Sequence, residues 1–149
     1  MLTLLFKTFS IVPNCRRQFP MHIVTQNIKN NPETINILYQ AMPRSFEVVD
    51  DNGMLALHYA CLTSTDVDLV RTILSYKKDN ININTSDGST ALDLVMARTE
   101  VTRTNQAWSK FGIELVEQEE IIRLLRENGA KTSREMTETM NKESKFYSL

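Results

Sequence analysis

Three ten-residue segments of this chain lie in register at an almost constant interval: FPMHIVTQNI (19–28), LALHYACLTS (55–64) and TALDLVMART (90–99). His22, His58 and Asp93 take the same place in each, 36 and 35 residues apart. A period of this size constrains the fold more than any local feature. One such unit cannot bury its apolar face alone and must stack on the next. A second apolar-periodic stretch follows each segment: PETINILYQAM (32–42), DVDLVRTILSY (66–76) and QEEIIRLLRENGA (118–130). In these, Ile35, Leu38 and Tyr39, then Leu69, Ile73 and Leu74, then Ile121, Leu124 and Leu125 fall at helical spacing. Each unit therefore reads as two short helices. Polar, turn-rich segments join the units, FEVVDDNG (46–53) and NININTSDG (80–88), and in them Gly53 and Gly88 each stand five residues before the aligned His58 or Asp93. A tight turn calls for positive φ there.

Helix, turn, helix and connector, repeated at about 35 residues, resembles the ankyrin repeat. The middle unit carries the match best: DDNGMLALHYAC (50–61) is similar to the family's D-x-x-G-x-T-P-L-H-x-A-A, with Leu55 and Ala56 replacing Thr-Pro. DGSTALDLVM (87–96) keeps Gly88, Thr90, Ala91 and Leu92 but has Asp93 in the histidine's place. The first unit keeps Phe19-Pro20-Met21-His22 and has Arg17 where the glycine falls. RLLRENGAKTS resembles a final ankyrin helix, with Gly129 in the left-handed position that ends it.

The resemblance implies an all-α fold, an ankyrin-repeat solenoid of about three helix-turn-helix units with turn-rich connectors. It spans residues 14–133, divided near 14–49, 50–84 and 85–133, the last with an insertion at 99–116. Residues 1–13 read as an N-terminal capping helix or a targeting segment, since Leu2, Leu5, Phe6 and Phe9 share helical spacing and residues 1–32 lack Asp and Glu. Residues 134–149 read as a charged C-terminal tail that extends as a marginal helix or frays.

The resemblance also implies a binding face, the concave side formed by connector tips and first helices. The positions left free by the pattern are Gln18, Ile23, Gln26 and Asn27 in the first unit. In the second they are Asn52, Met54, Tyr59, Leu62 and Thr63, and in the third Asp87, Ser89, Leu94 and Arg98. Tyr59, Met54 and Ile23 give this strip the apolar, aromatic character that suits a peptide or helix. Trp108, on the insertion, is a further candidate contact; the alternative is that it caps the last repeat with Phe111.

One pair of residues raises the question of catalysis. His58 and Cys61 stand three apart and would share a helix face. The repeat assigns both a structural role. The aligned histidine ties connector to helix through backbone hydrogen bonds, and Cys61 fills an alanine-sized slot between helices. His22 recurs in the equivalent place, as a structural role predicts.

Asp50-Asp51 and Asp66/Asp68 fall in a connector and at a helix start, where Asp accepts from free backbone N–H groups. EQEE (117–120) reads as an acidic first helical turn. No nucleophile–base–orienter set remains, so the expectation is a non-enzyme without metal or cofactor.

Net charge is −1, from 17 basic and 18 acidic residues, which gives no reason to expect nucleic acid or an anionic membrane as partner. Two cysteines make no disulfide framework, so a reducing, intracellular compartment is expected. No run approaches the roughly 18 apolar residues of a membrane span. The expected function is non-catalytic: a monomeric adaptor or scaffold that binds a protein partner on its concave face. The alternatives are an effector of this type delivered into a host cell by a bacterium, or an incomplete piece of a larger repeat protein.

Overall fold

The computed structural model describes residues 13–26, 32–104 and 111–146. Among them every regular element is helical. The elements are α1 (Pro20–Gln26), α2 (Pro32–Ala41), α3 (Ala56–Thr63), α4 (Val67–Tyr76), α5 (Ala91–Thr104), α6 (Phe111–Glu127) and α7 (Ser133–Phe146). Short 3-10 turns span Pro43–Phe46 and Lys78–Asn82.

Two layers result. Helices α1, α3 and α5 pack side by side in one, and α2, α4 and α6 form the other; α1 packs on α2, α3 on α4 and α5 on α6. The sequence explains the division. α3 has neighbours on both sides, and Ala56 through Cys61 are all buried. It is accordingly apolar all round, as an enclosed helix must be. α4 is amphipathic instead: Leu69, Val70, Ile73 and Leu74 are buried while Asp68, Arg71 and Ser75 are exposed. Asp66 caps α4, its Oδ1 accepting from the N–H of Asp68 at 2.9 Å and of Leu69 at 3.1 Å. One contiguous core runs from Met21 and Ile35 through Leu57, Cys61 and Ile73 to Leu92, Ile121 and Leu125.

The connector tips repeat bond for bond. Asn14, Asp50 and Thr85 each donate their N–H to a carbonyl four residues on, Gln18, Met54 and Ser89, at 3.0, 3.2 and 2.9 Å. The third residue after each adopts positive φ: Arg17 at 54°, Gly53 at 69° and Gly88 at 88°. Successive tips are stitched by Asp51 N–H to Arg16 O at 3.3 Å and Ser86 N–H to Asn52 O at 2.9 Å. Arg17 thus holds, at a cost of about 1–2 kcal/mol, a conformation that glycine takes freely.

The third unit departs from the other two. The described part of the 99–116 insertion is helix: α5 continues to Thr104 and α6 begins at Phe111. Arg103 on α5 meets Glu119 on α6 at 2.6 Å. Because α6 starts six residues before EQEE, that run is mid-helix and not a first turn as expected. Gln118 in it is buried, and among the described residues neither of its side-chain polar atoms finds a hydrogen-bond partner.

The expected C-terminal tail contains α7, tied down at its start. Thr132 N–H donates to Glu135 Oε2 at 2.8 Å, and Glu135 N–H returns to Thr132 Oγ1 at 3.2 Å, a capping box. The hydrogen bond from Arg126, with that of Thr132 N–H behind it, lowers the Glu135 carboxyl to about 2. Gly129, at φ 91°, ends α6 as expected. The expected N-terminal element, Asn27 and Trp108 lie outside the described residues.

Candidate functional site

His22 and His58 open the first helices of their units and use both ring nitrogens on the backbone. His22 Nδ1 accepts from Phe19 N–H, and Nε2 lies 2.9 Å from Val48 O, in the connector that follows. His58 repeats this with Leu55 N–H and Ile83 O, also at 2.9 Å. Each histidine thus clamps its own helix start to the next connector. Burial pushes both rings below the usual histidine range, with the bonds to Val48 and Ile83 opposing it.

Asp93 replaces the ring with a carboxylate, keeps the local bond and reverses the direction of the long-range one. Its Oδ2 accepts from Thr90 N–H and Oγ1 and, 40 residues on, from Ser133 N–H at 2.8 Å. A carboxylate cannot serve a carbonyl as imidazole N–H does, so it holds the N-terminus of α7 instead.

Cys61 is fully buried, and desolvation raises its thiol to about 12. With no thiolate at neutral pH and both His58 nitrogens engaged, the pair has neither nucleophile nor base. Cys15 is exposed. Native protein is therefore expected to react with one equivalent of a thiol reagent, at Cys15, and with the second only on unfolding. A fast second equivalent from folded protein, mapped to Cys61 by peptide mass, would contradict this. Among the described residues no group of three or more His, Cys, Asp or Glu could hold a metal ion. None of the described helices is long and apolar enough to cross a membrane.

The tips of the second and third units and the helices behind them enclose a groove of about 390 Å³. Asn52, Thr85, Ser86 and Asp87 form its rim; Met54, Tyr59, Leu62 and Leu94 form its apolar base. Six of these eight were expected on the concave strip from the repeat alone. Thr85 and Ser86 were not, although their tip position, equivalent to Asp50 and Asp51, made them legible.

Exposure along the strip differs from expectation. Met54 and Tyr59 are only 8% and 9% exposed, and Gln18 is buried too, so none is the protruding side chain the pattern suggested. For Gln18 and Tyr59 the cause is a buried polar chain linking two units. Gln18 Nε2 donates to Tyr59 Oη at 2.8 Å, and Tyr59 O–H donates to Asp50 Oδ2 at 2.6 Å. Asp50 Oδ1 accepts from the N–H groups of Asn52 and Met54, both at 2.9 Å. Burial alone would raise the Asp50 carboxyl, but these bonds hold it below the usual range. Burial, then the bond to Asp50, pushes the Tyr59 phenol up. Tyr59 is thus drawn inward by its hydroxyl.

Gln26, Thr63, Ser89 and Arg98 are half-buried, contrary to the expectation that they were open, and Leu94 is half-buried as well. Thr63 Oγ1 donates to Tyr59 O at 2.8 Å, spending its hydroxyl inside the fold. Arg98 donates to Ser64 O at 2.6 Å, at the C-terminal end of α3, where the helix dipole favours a cation. Asn52 and Asp87 are exposed as expected, with Leu62 at 41% and Ile23 at 43%. Of the apolar side chains expected on the strip, Leu62 and Ile23 are therefore the accessible ones, with Leu94 partly covered. No protein-family model matches this chain, and no curated protein matches it.

Proposed function

We propose that this protein is an ankyrin-type repeat module that binds a protein partner, without catalysis, through the groove between its second and third tips. The observation that carries the reading is the set of stacked tips, identical in their backbone bonds, beside a groove where Leu62 is exposed and Leu94 half-buried next to polar tip residues. Rigid, repeated elements that present apolar side chains suit recognition of another chain. The chemistry of the His58–Cys61 pair supports a non-catalytic role, since neither group is in a reactive state.

Leu62 tests the reading better than Tyr59. It is exposed on the groove and makes no structural hydrogen bond through its side chain, so Leu62→Arg should leave the melting temperature within about 2 °C. Affinity capture from lysate of the source cell, with wild type and Leu62→Arg as paired baits, is expected to recover a partner that the variant loses. Arg71→Glu, on the opposite layer, is expected to retain it. A partner recovered equally by wild type and Leu62→Arg, or lost only with Arg71→Glu, would place recognition elsewhere.

A further inference from the structure

Charge along the tips forms a second pattern beside the apolar groove. Arg16, Asn52 and Asp87 are equivalent positions of the three stacked turns: Arg16 and Asn52 each lend the carbonyl that receives the next tip's N–H. All three are exposed. Their side chains run cation, neutral amide, anion from the first unit to the third. Arg16 and Asp87 form no ion pair among the described residues, whereas neighbouring Arg17 and Asp51 lie 3.7 Å apart. Asp87 is also oriented. One carboxylate oxygen accepts from the Thr85 hydroxyl and the Ser89 N–H. On the helices behind the tips stand Ile23 and Leu62, exposed, and Leu94, half-buried, and Leu62 and Leu94 line the groove with Asn52 and Asp87.

We propose that this strip binds a linear segment of a partner protein with an acidic residue at one end, a large apolar residue in the middle and a basic residue at the other. The basic group meets Asp87, the apolar side chain fills the groove over Leu62 and Leu94, and the acidic group meets Arg16. This rests on the reading of the protein as an interaction module. Geometry sets the spacing. Neighbouring helices pack 8–10 Å apart, so two steps along the stack cover roughly 18 Å. An extended chain covers that in about five or six residues. Because the two ends differ in sign, only one direction of the segment satisfies both, and the apolar contact supplies most of the affinity while the charges fix register and direction.

The test uses a phage-displayed library of random 12-residue peptides selected on wild-type protein, with enriched sequences then synthesised and titrated by fluorescence anisotropy. The expected peptides carry an acidic and a basic residue about six positions apart, flanking Leu, Met or Phe. Asp87→Lys is expected to weaken them about tenfold, and changing the peptide's basic residue to Glu to restore most of that loss. Asp87→Asn, which keeps an oxygen for Thr85 and Ser89, is expected to weaken them less and to melt with wild type.

Peptides lost with Leu62→Arg but indifferent to Asp87→Lys and Arg16→Glu would overturn the charge pattern and leave the interaction module standing. Peptides indifferent to Leu62→Arg as well would overturn the groove with it. A library that yields no enriched sequence would overturn the linear segment alone, since the paired-bait capture judges the module independently.

Discussion

Replacing Gly53 by alanine is expected to destabilise the protein by about 3 kcal/mol, against about 1 kcal/mol for the same change at Gly88. Both glycines hold positive φ in equivalent turns, so the backbone strain is shared. The difference is what lies beyond the turn. A Cβ on Gly53 would stand 2.8 Å from Ser86 N and 3.2 Å from Thr85 C, both backbone of the next tip. Those atoms cannot move aside without parting the tips and stretching the Ser86 N–H to Asn52 O bond. A Cβ on Gly88 would meet nothing within 4 Å. For a chain of this length, the gap amounts to roughly 4–8 °C in melting temperature. Calorimetry of the two variants side by side checks it. Equal losses at both positions would mean that the tips are not in contact as described.

His58→Ala is expected to cost about 3 kcal/mol, because it removes two backbone partners at once and opens a void. Leu55 N–H loses its acceptor and Ile83 O its donor, in a part of the fold where His58 is 1% exposed. The clamp also implies a pH dependence. Burial holds the folded pKa of His22 and His58 below the ordinary value of 6.5. The unfolded rings therefore take up protons first as pH falls. Their contribution is complete above about 6.5 and is lost as pH drops through the folded values.

Asp50 and Asp93 act in the same direction at lower pH. Burial alone would raise them, but hydrogen bonds hold both below 3.8. Stability measured by urea titration is thus expected to fall from pH 7 to pH 5, and His58→Ala to show a shallower fall. A flat profile in wild type would mean that the rings are not buried as neutral groups.

Much of the fold was legible because its signal is local. The spacing of Leu69, Ile73 and Leu74 marks one buried face of α4. The interval between His22 and His58 follows from two units repeating one clamp. The fate of Cys61 was legible from its place between the helices of the middle unit, which is enclosed on both sides, and a buried thiol stays protonated. The glycine positions announced the turns, and Arg17 at φ 54° shows that the turn is imposed by the stack even where its residue resists it.

Accessibility along the groove was decided only by tertiary structure. Position within a repeat says which way a Cα–Cβ bond points. It does not say that Gln18, 41 residues before Tyr59, will reach across a unit boundary and bind the Tyr59 hydroxyl. The same holds for Arg98, drawn to Ser64 O from 34 residues away, and for Asp93, which finds Ser133 N–H only because two extended helices return the chain there. EQEE was misread for a related reason, since a helix start is set by what packs before it and its acidic run fits a first turn as well as a middle one. Sequence periodicity fixes which faces are apolar. Which polar groups are buried depends on partners tens of residues away, because a buried hydrogen-bonding group must find a mate wherever the packed fold supplies one.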